Sequence, residues 1–145
     1  MRVQSLGHVV LKVRNRDRSE AFYSELLGIP VISRISDPVH MTFFSLRNQH
    51  DFAVIEVGEH APIADPTATG LHHVAFKIGD SLEEFSSVRT DLEAAGIVLS
   101  EADRTFTKSL HLQDPDGNEV ELYIDTSDAW KTHIQALTPV LGTES

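Results

Sequence analysis

Histidine and glutamate, two residue types that bind divalent metals, recur in this chain at one fixed distance. His8 and His73 lie 65 residues apart, and so do Glu56 and Glu121. The chain contains no cysteine, so any metal must take imidazole and carboxylate ligands. The spacing predicts a metal site formed by His8, His73, Glu121 and Glu56, contributed by two copies of one repeated unit.

The repeat extends to the surrounding structure and indicates two copies of a βαβββ unit. The hydrophobic pattern predicts a strand at 6–13 and a helix that opens near Arg16 and ends at Gly28. Three further strands follow, at 30–36, 40–47 and 51–57. The second copy has a helix near 81–95 and strands at 71–78, 97–102, 106–112 and 118–124. We expect an α+β fold in which two tandem units form a curved mixed sheet with helices on its outer face.

The predicted boundaries make the chain one domain with four parts. Unit one covers 5–58, a polar linker covers 59–70, unit two covers 71–125, and a helical tail covers 126–145 with its helix near 127–137. The segment that ends the first helix, Glu25 to Ile29, matches Glu93 to Ile97 at an offset of 68. The units therefore differ in length by three residues within the helix region.

Strand parity predicts which residues share a sheet face, because alternate side chains point to opposite sides. His8 falls on the face away from the helix, since Val9, Leu11 and Val13 form the apolar set. The same reasoning selects His73 rather than His72. One face is predicted to collect His8, His73, Glu56, Glu121, His50 and His111.

Composition limits the classes of partner. The net charge of -10 argues against nucleic acid, whose binding relies on clusters of Lys and Arg, and favours a small-molecule substrate. No apolar run approaches the ~18 residues of a membrane span, so we expect a cytoplasmic protein without membrane contact. Exposed sheet edges predict a homodimer, with the units paired within one chain or swapped between subunits.

Two segments resemble the vicinal oxygen chelate superfamily, which includes glyoxalase I, bleomycin resistance proteins and type I extradiol dioxygenases. They are Gly70 to Phe76 and Asp114 to Tyr123, within a resemblance that covers residues 5 to 125. The resemblance implies a divalent metal on the cupped inner face of the sheet, bound by His8, His73 and Glu121. Glu56 falls at a fourth position that some branches use.

The segment from Asn48 to Ala53 resembles a dioxygenase strand whose histidine, here His50, acts as an acid and base; Trp130 also matches catechol-cleaving relatives. Two positions depart from that pattern: His111 replaces a tyrosine, and Arg104 stands where a histidine often follows the aspartate. The resemblance implies an extradiol-type dioxygenase with Fe(II) or Mn(II) that acts on a catechol-like diol. His50 would move a proton, and His111 would bind substrate or replace the tyrosine.

Three alternatives remain at this point. A glyoxalase-like or epimerase-like lyase or isomerase would use Ni(II) or Zn(II), with Glu56 or Glu121 as the base. A resistance protein would only sequester its ligand. His50 and His111 could equally be surface, core or rim residues without a catalytic role.

Overall fold

The chain folds as two compact units, each built around a four-stranded mixed sheet. The computed structural model describes residues 1–47 and 49–128. The first unit comprises Met1–Thr69 together with Asp114–Asn118, and the second comprises Gly70–Gln113 and the chain from Glu119 onward. The predicted fold class, two tandem βαβββ units, is confirmed. The predicted C-terminal helix and Trp130 lie outside the described residues.

The first unit follows the predicted element order with shorter strands. It contains β1 (Val9–Val13), α1 (Arg16–Glu20), β2 (Val31–Ile35), β3 (Met41–Phe44) and β4 (Phe52–Glu56). Helix α1 runs directly into a wider π-helical segment, Ala21–Leu26. The strand order is β1-β4-β3-β2, with β1 parallel to β4 and the other pairs antiparallel.

The second unit repeats this arrangement. It contains β5 (His73–Gly79), α2 (Leu82–Ala94), β6 (Ser100–Asp103), β7 (Thr107–Gln113) and β8 (Glu119–Asp125). The strand order is β5-β8-β7-β6, with β5 parallel to β8. Among the described residues, neither helix has the length and apolarity needed to cross a membrane.

Local sequence explains where the helices begin and end. The side chain of Asn15 accepts a hydrogen bond from the Arg18 amide, and that of Ser81 accepts one from the Glu84 amide, so both helices start at a polar cap. The helical segments of the two units end at Gly28 and Gly96, each with φ of 79°. Glycine adopts this left-handed conformation at little steric cost, and Gly28 ends the first helix as predicted.

The strand register corrects one prediction. In the first sheet Val10 pairs with Ala53 and Val13 pairs with Glu56, whereas in the second sheet Ala75 pairs with Glu121. Val10 and Ala75 differ by 65, so the structural counterpart of Glu121 is Ala53. Glu56 shares the helix side of its sheet with the buried Val13, and the prediction that it faces the same way as His8 is wrong. Because the second unit has three more residues in its helix region, Ala53 and Glu121 correspond at an offset of 68 instead of 65.

Each unit has its own buried apolar cluster beneath its helix. The first contains Leu11, Val13, Phe22, Tyr23, Phe44, Phe52 and Val54, and the second contains Phe76, Phe85, Leu92, Leu110, Leu112, Val120, Leu122 and Ile124. Both clusters occupy the helix side of the sheet, which leaves the opposite sheet faces to carry the polar groups.

Candidate metal centre

The face of the second sheet opposite its apolar cluster carries two histidines and two glutamates. His73 pairs with Glu119 across β5 and β8, and His111 pairs with Glu121 across β7 and β8. Residues paired in register project to the same face. The alternate residues, such as Leu122, are buried on the other side. The regular alternation of β8 therefore holds both carboxylates among the imidazoles.

Three of the predicted site residues come together on this face. Nε2 of His73 lies 3.7 Å from Oε2 of Glu121, and Nε2 of His111 lies 3.5 Å from Oε1 of the same carboxylate. Nε2 of His111 also lies 3.2 Å from the hydroxyl of Ser109. Metal–ligand bonds to imidazole and carboxylate measure about 2.1 Å, so the 3.7 Å gap lets His73 and Glu121 bind one ion. This donor set fits a divalent metal.

His72 and Glu119 extend the cluster, and sequence reasoning missed both as site residues. The Nδ1 atoms of His72 and His73 lie 2.8 Å apart, and Nδ1 of His72 lies 3.5 Å from Oε2 of Glu119. Glu119 also lies 3.7 Å from His111. Parity excluded His72, but β5 begins at His73, so strand alternation does not apply to the preceding residue. The sequence signal that could have identified His72 is the pair of adjacent histidines at the start of β5.

The first unit brings His8 and His50 together. Their ring centroids lie 5.0 Å apart with the planes tilted by 41°. Phe43 meets His50 edge-on at 5.8 Å. Phe43 lies opposite Ala53 on the sheet side that faces away from α1, so both imidazoles belong to that side. His8 is exposed and directly precedes β1.

Glu56 is held elsewhere by two contacts. Its Oε1 accepts a hydrogen bond of 3.0 Å from the backbone amide of Arg16, the first residue of α1. Its Oε2 lies 3.7 Å from Nδ1 of His40. The carboxylate thus satisfies a helix-end amide that has no partner within the helix.

Charges farther along the second face are paired. Lys77 forms ion pairs of 2.6 Å with Asp80 and 2.9 Å with Asp125, and these hydrogen bonds raise the pKa of its ammonium group. Burial raises the pKa of Tyr123, and the charge of Asp125 adds to the effect. The lysine is therefore committed to carboxylates, and the face around Glu121 is acidic in character.

A cavity of about 490 Å³ adjoins this cluster within the second unit. Its polar lining includes His111, Glu119 and Gln113, and its apolar lining includes Ile97 and Leu99. A pocket with apolar walls and a few polar groups beside a candidate metal site suits a small organic molecule.

The described geometry therefore groups the predicted residues by unit. His8 lies with His50 in the first unit, and His73 and Glu121 lie with His111 in the second. Participation of all three predicted ligands, His8, His73 and Glu121, in one metal site stays a prediction.

Comparison with known proteins gives one family match. The model of the Glyoxalase/Bleomycin resistance protein/Dioxygenase superfamily matches residues 5–122. The solved glyoxalase/bleomycin resistance/dioxygenase domain from Frankia sp. aligns with a TM-score of 0.72 at 23% identity, covering 86% of this chain and 99% of that domain.

Two curated relatives have different activities. Catechol-2,3-dioxygenase from Bacillus subtilis is 29% identical over 124 residues, which cover 83% of this chain and 41% of the relative. Glutathione transferase FosA from Serratia marcescens is 27% identical over 122 residues, which cover 84% of this chain and 82% of the relative. The chain thus spans less than half of the dioxygenase and most of the transferase.

Proposed function

Because the chain belongs to the glyoxalase, bleomycin resistance protein and dioxygenase superfamily, we propose that it is a metal-dependent extradiol-type dioxygenase acting on a small catechol-like diol. The observation that carries this proposal is the 5.0 Å approach of the His50 ring to the His8 ring. A dioxygenase site needs an acid and base group beside its metal ligands, and imidazole titrates near neutral pH.

The proposed ligands are His73 and Glu121 of the second unit together with His8 of the first, as the repeat predicts. Glu56 is left out because its carboxylate accepts the Arg16 amide on the helix side of its sheet. Two histidines and one carboxylate leave coordination positions open, the arrangement typical of non-haem Fe(II) oxygenases. When bound, Fe(II) or Mn(II) would supply Lewis acidity toward the diol and redox activity toward oxygen.

Residues of this chain would exchange a proton with the substrate and orient a metal ligand. His50 would accept the hydroxyl proton of the diol and later return it, while Phe43 limits the tilt of the His50 ring by edge contact. His111 contacts Glu121 and Ser109, so it would fix the orientation of the Glu121 carboxylate. The apolar wall formed by Ile97 and Leu99 would receive the substrate ring.

The charge of the second face favours a neutral substrate. Glu119, Glu121 and Asp125 are acidic, and Lys77 is paired with Asp80 and Asp125. A dianionic substrate would be repelled by this acidic surface, because the ammonium group of Lys77 is already paired with carboxylates. A catechol is uncharged before it loses a proton, so it enters at a smaller electrostatic cost.

The test is anaerobic reconstitution with Fe(II) or Mn(II), followed by addition of a catechol and air. We expect metal-dependent oxygen uptake and a coloured ring-opened product. His50→Gln should lower turnover about 10²- to 10⁴-fold while metal content stays constant. His60→Gln, at an exposed position, is the matched control. Full metal loading without oxygen uptake across a panel of catechols would reject the proposal.

A second candidate is a metal-dependent glutathione transferase related to FosA. The observation that favours it is similarity, because FosA is 27% identical over 122 residues, close to the 29% over 124 residues of the catechol dioxygenase. Thiol consumption with a small epoxide, without oxygen uptake, would support the transferase.

A glyoxalase-type lyase is less favoured because Glu56, its expected fourth ligand, faces the helix side. Tight ligand binding without turnover would instead indicate sequestration.

A further inference from the structure

The two ring nitrogens of His73 face different partners. Nε2 lies 3.7 Å from Oε2 of Glu121, and Nδ1 lies 2.8 Å from Nδ1 of His72. Nδ1 of His72 lies 3.5 Å from Oε2 of Glu119. The Nδ1 side of His73 thus has its own imidazole and its own carboxylate, separate from Glu121, and all of these residues belong to the second unit.

We propose that His72, His73 and Glu119 form an outer seat for a divalent transition metal ion, which competes with the proposed inner site for His73. One ligand atom from each of these residues lies within 4.8 Å of the other two. The competition rests on the proposed function, which assigns Nε2 of His73 to the inner metal. The outer seat itself depends only on the geometry of the second unit.

The outer donor set suits borderline metals such as Zn(II). Imidazole and carboxylate ligands bind zinc at about 2.0–2.2 Å, and separations of 2.8 and 3.5 Å lie within twice that length. The side chain of His72 is 83% exposed and that of Glu119 is 37% exposed, so solvent reaches the seat directly. An ion bound there would exchange readily with free metal.

Occupation of the outer seat affects the inner site through the tautomer of His73. A neutral imidazole offers one lone pair and carries its hydrogen on the other nitrogen. With metal on Nε2, the hydrogen lies on Nδ1 and is donated to His72, which would fix the ring orientation. With metal on Nδ1, the hydrogen moves to Nε2 and faces Glu121. The ring therefore serves one ion at a time.

Relative affinities give this competition a direction. Sites of this type bind Zn(II) more tightly than Mn(II) or Fe(II). Zinc bound at the outer seat should therefore hold His73 more tightly than an inner Fe(II) or Mn(II) ion does, and withdraw the imidazole from that ion. The inference is that zinc regulates the proposed enzyme through an exposed pair of residues, His72 and Glu119.

The test is a zinc titration of the full chain followed by long-range proton–nitrogen NMR of the histidine rings. In the wild-type protein, excess zinc should shift Nδ1 of both His72 and His73. In His72→Ala, the zinc-induced shift of His73 should appear at Nε2 instead. His60→Ala, which removes an exposed histidine of the first unit, should behave like the wild type.

Unshifted Nδ1 atoms at zinc excess would overturn the outer seat, as would His72→Ala spectra that match the wild type. Glu119→Gln provides an independent variant if His72→Ala does not fold, and zinc affinity at the outer seat, measured against a chelating dye, should fall at least about tenfold. Unchanged affinity would also overturn the proposal. Because neither readout needs turnover, failure of the dioxygenase proposal leaves this test intact.

Discussion

The carboxylate of Glu56 accepts a hydrogen bond from the backbone amide of Arg16 at 3.0 Å, and thereby connects the end of β4 to the start of α1. An acidic group at this position satisfies a helix-end amide and interacts favourably with the helix dipole. The glutamate that matches the metal-ligand spacing in sequence therefore has a structural partner.

Glu56→Ala should lower stability without changing metal binding. Loss of the amide partner should reduce the free energy of unfolding by about 0.5–2 kcal/mol. Glu121→Ala is the matched comparison, and it should reduce metal content sharply because it removes a proposed ligand. Urea unfolding and metal analysis of both variants measure the two effects. Equal metal loss in both variants would contradict the assignment.

The fold was predictable from sequence because it depends on patterns that each unit repeats. Alternating strands, the helix terminator Gly28 and the matching segment from Glu93 to Ile97 identified both βαβββ units. The sequence led to the wrong sheet face for Glu56. The offset of 68 between the two helix ends already indicated that strands after the helix are related by 68 residues rather than 65. The 65-residue coincidence between Glu56 and Glu121 concealed that Ala53 is the structural counterpart of Glu121. Register depends on loop lengths, and spacing between like residues does not determine it.

The polar cluster of the second unit was predicted in part. Strand parity correctly grouped His73, Glu121 and His111 on one face. It excluded His72, because it assumed that the strand extended through that residue. The 2.8 Å contact between His72 and His73 depends on the side-chain torsions of two neighbouring residues at a strand start. Periodicity carries no information on those torsions.

His50→Gln should separate catalysis from metal binding. Glutamine is polar but cannot exchange a proton near neutral pH, so kcat should fall about 10²- to 10⁴-fold with a catechol substrate. Metal content should match the wild type, because His50 contacts the ring of His8 without belonging to the proposed ligand set. Stopped-flow oxygen consumption and metal analysis measure the two quantities. A parallel fall in both would assign His50 to the metal site.

Glu20 makes stability depend on acid pH. Hydrogen bonds from Arg34 lower its pKa below the ordinary value of 4.5, and the hydroxyl of Thr42 contributes a further bond. A carboxylate with a lowered folded pKa contributes its full stability above pH 4.5 and loses it as pH falls through that folded pKa. Arg34 is 55% exposed, so salt should weaken the effect.

Glu20→Gln should therefore lower the free energy of unfolding by about 1–2 kcal/mol at pH 7. The difference from the wild type should shrink as the pH falls below 4.5. Glu25→Gln, at an exposed position of the π-helical segment that follows α1, is the control. Urea unfolding across acid pH measures this difference, and a constant difference would show that charge is not responsible.

The buried hydrogen bond from Tyr23 to Asp114 should stabilise the first unit. The hydroxyl donates to Oδ2 of Asp114 at 2.7 Å, and the two residues are 0% and 5% exposed. Burial and the adjacent carboxylate raise the pKa of Tyr23, so the hydroxyl stays protonated. Tyr23→Phe should lower the free energy of unfolding by about 1–3 kcal/mol, and Tyr123→Phe, at a half-buried tyrosine, should change it by less than about 0.5 kcal/mol. Thermal unfolding distinguishes the variants.

His111 should control metal affinity by positioning Glu121. Its Nε2 lies 3.5 Å from the Glu121 carboxylate and 3.2 Å from the Ser109 hydroxyl, so it is placed between a proposed ligand and a buried polar group. His111→Phe keeps a planar ring but removes both polar contacts, and Mn(II) affinity should fall about 10- to 100-fold. His111→Tyr introduces a hydroxyl and should recover part of that loss. Mn(II) titration followed by electron paramagnetic resonance gives both affinities, and an unchanged affinity in His111→Phe would show that ring shape matters rather than the polar contacts.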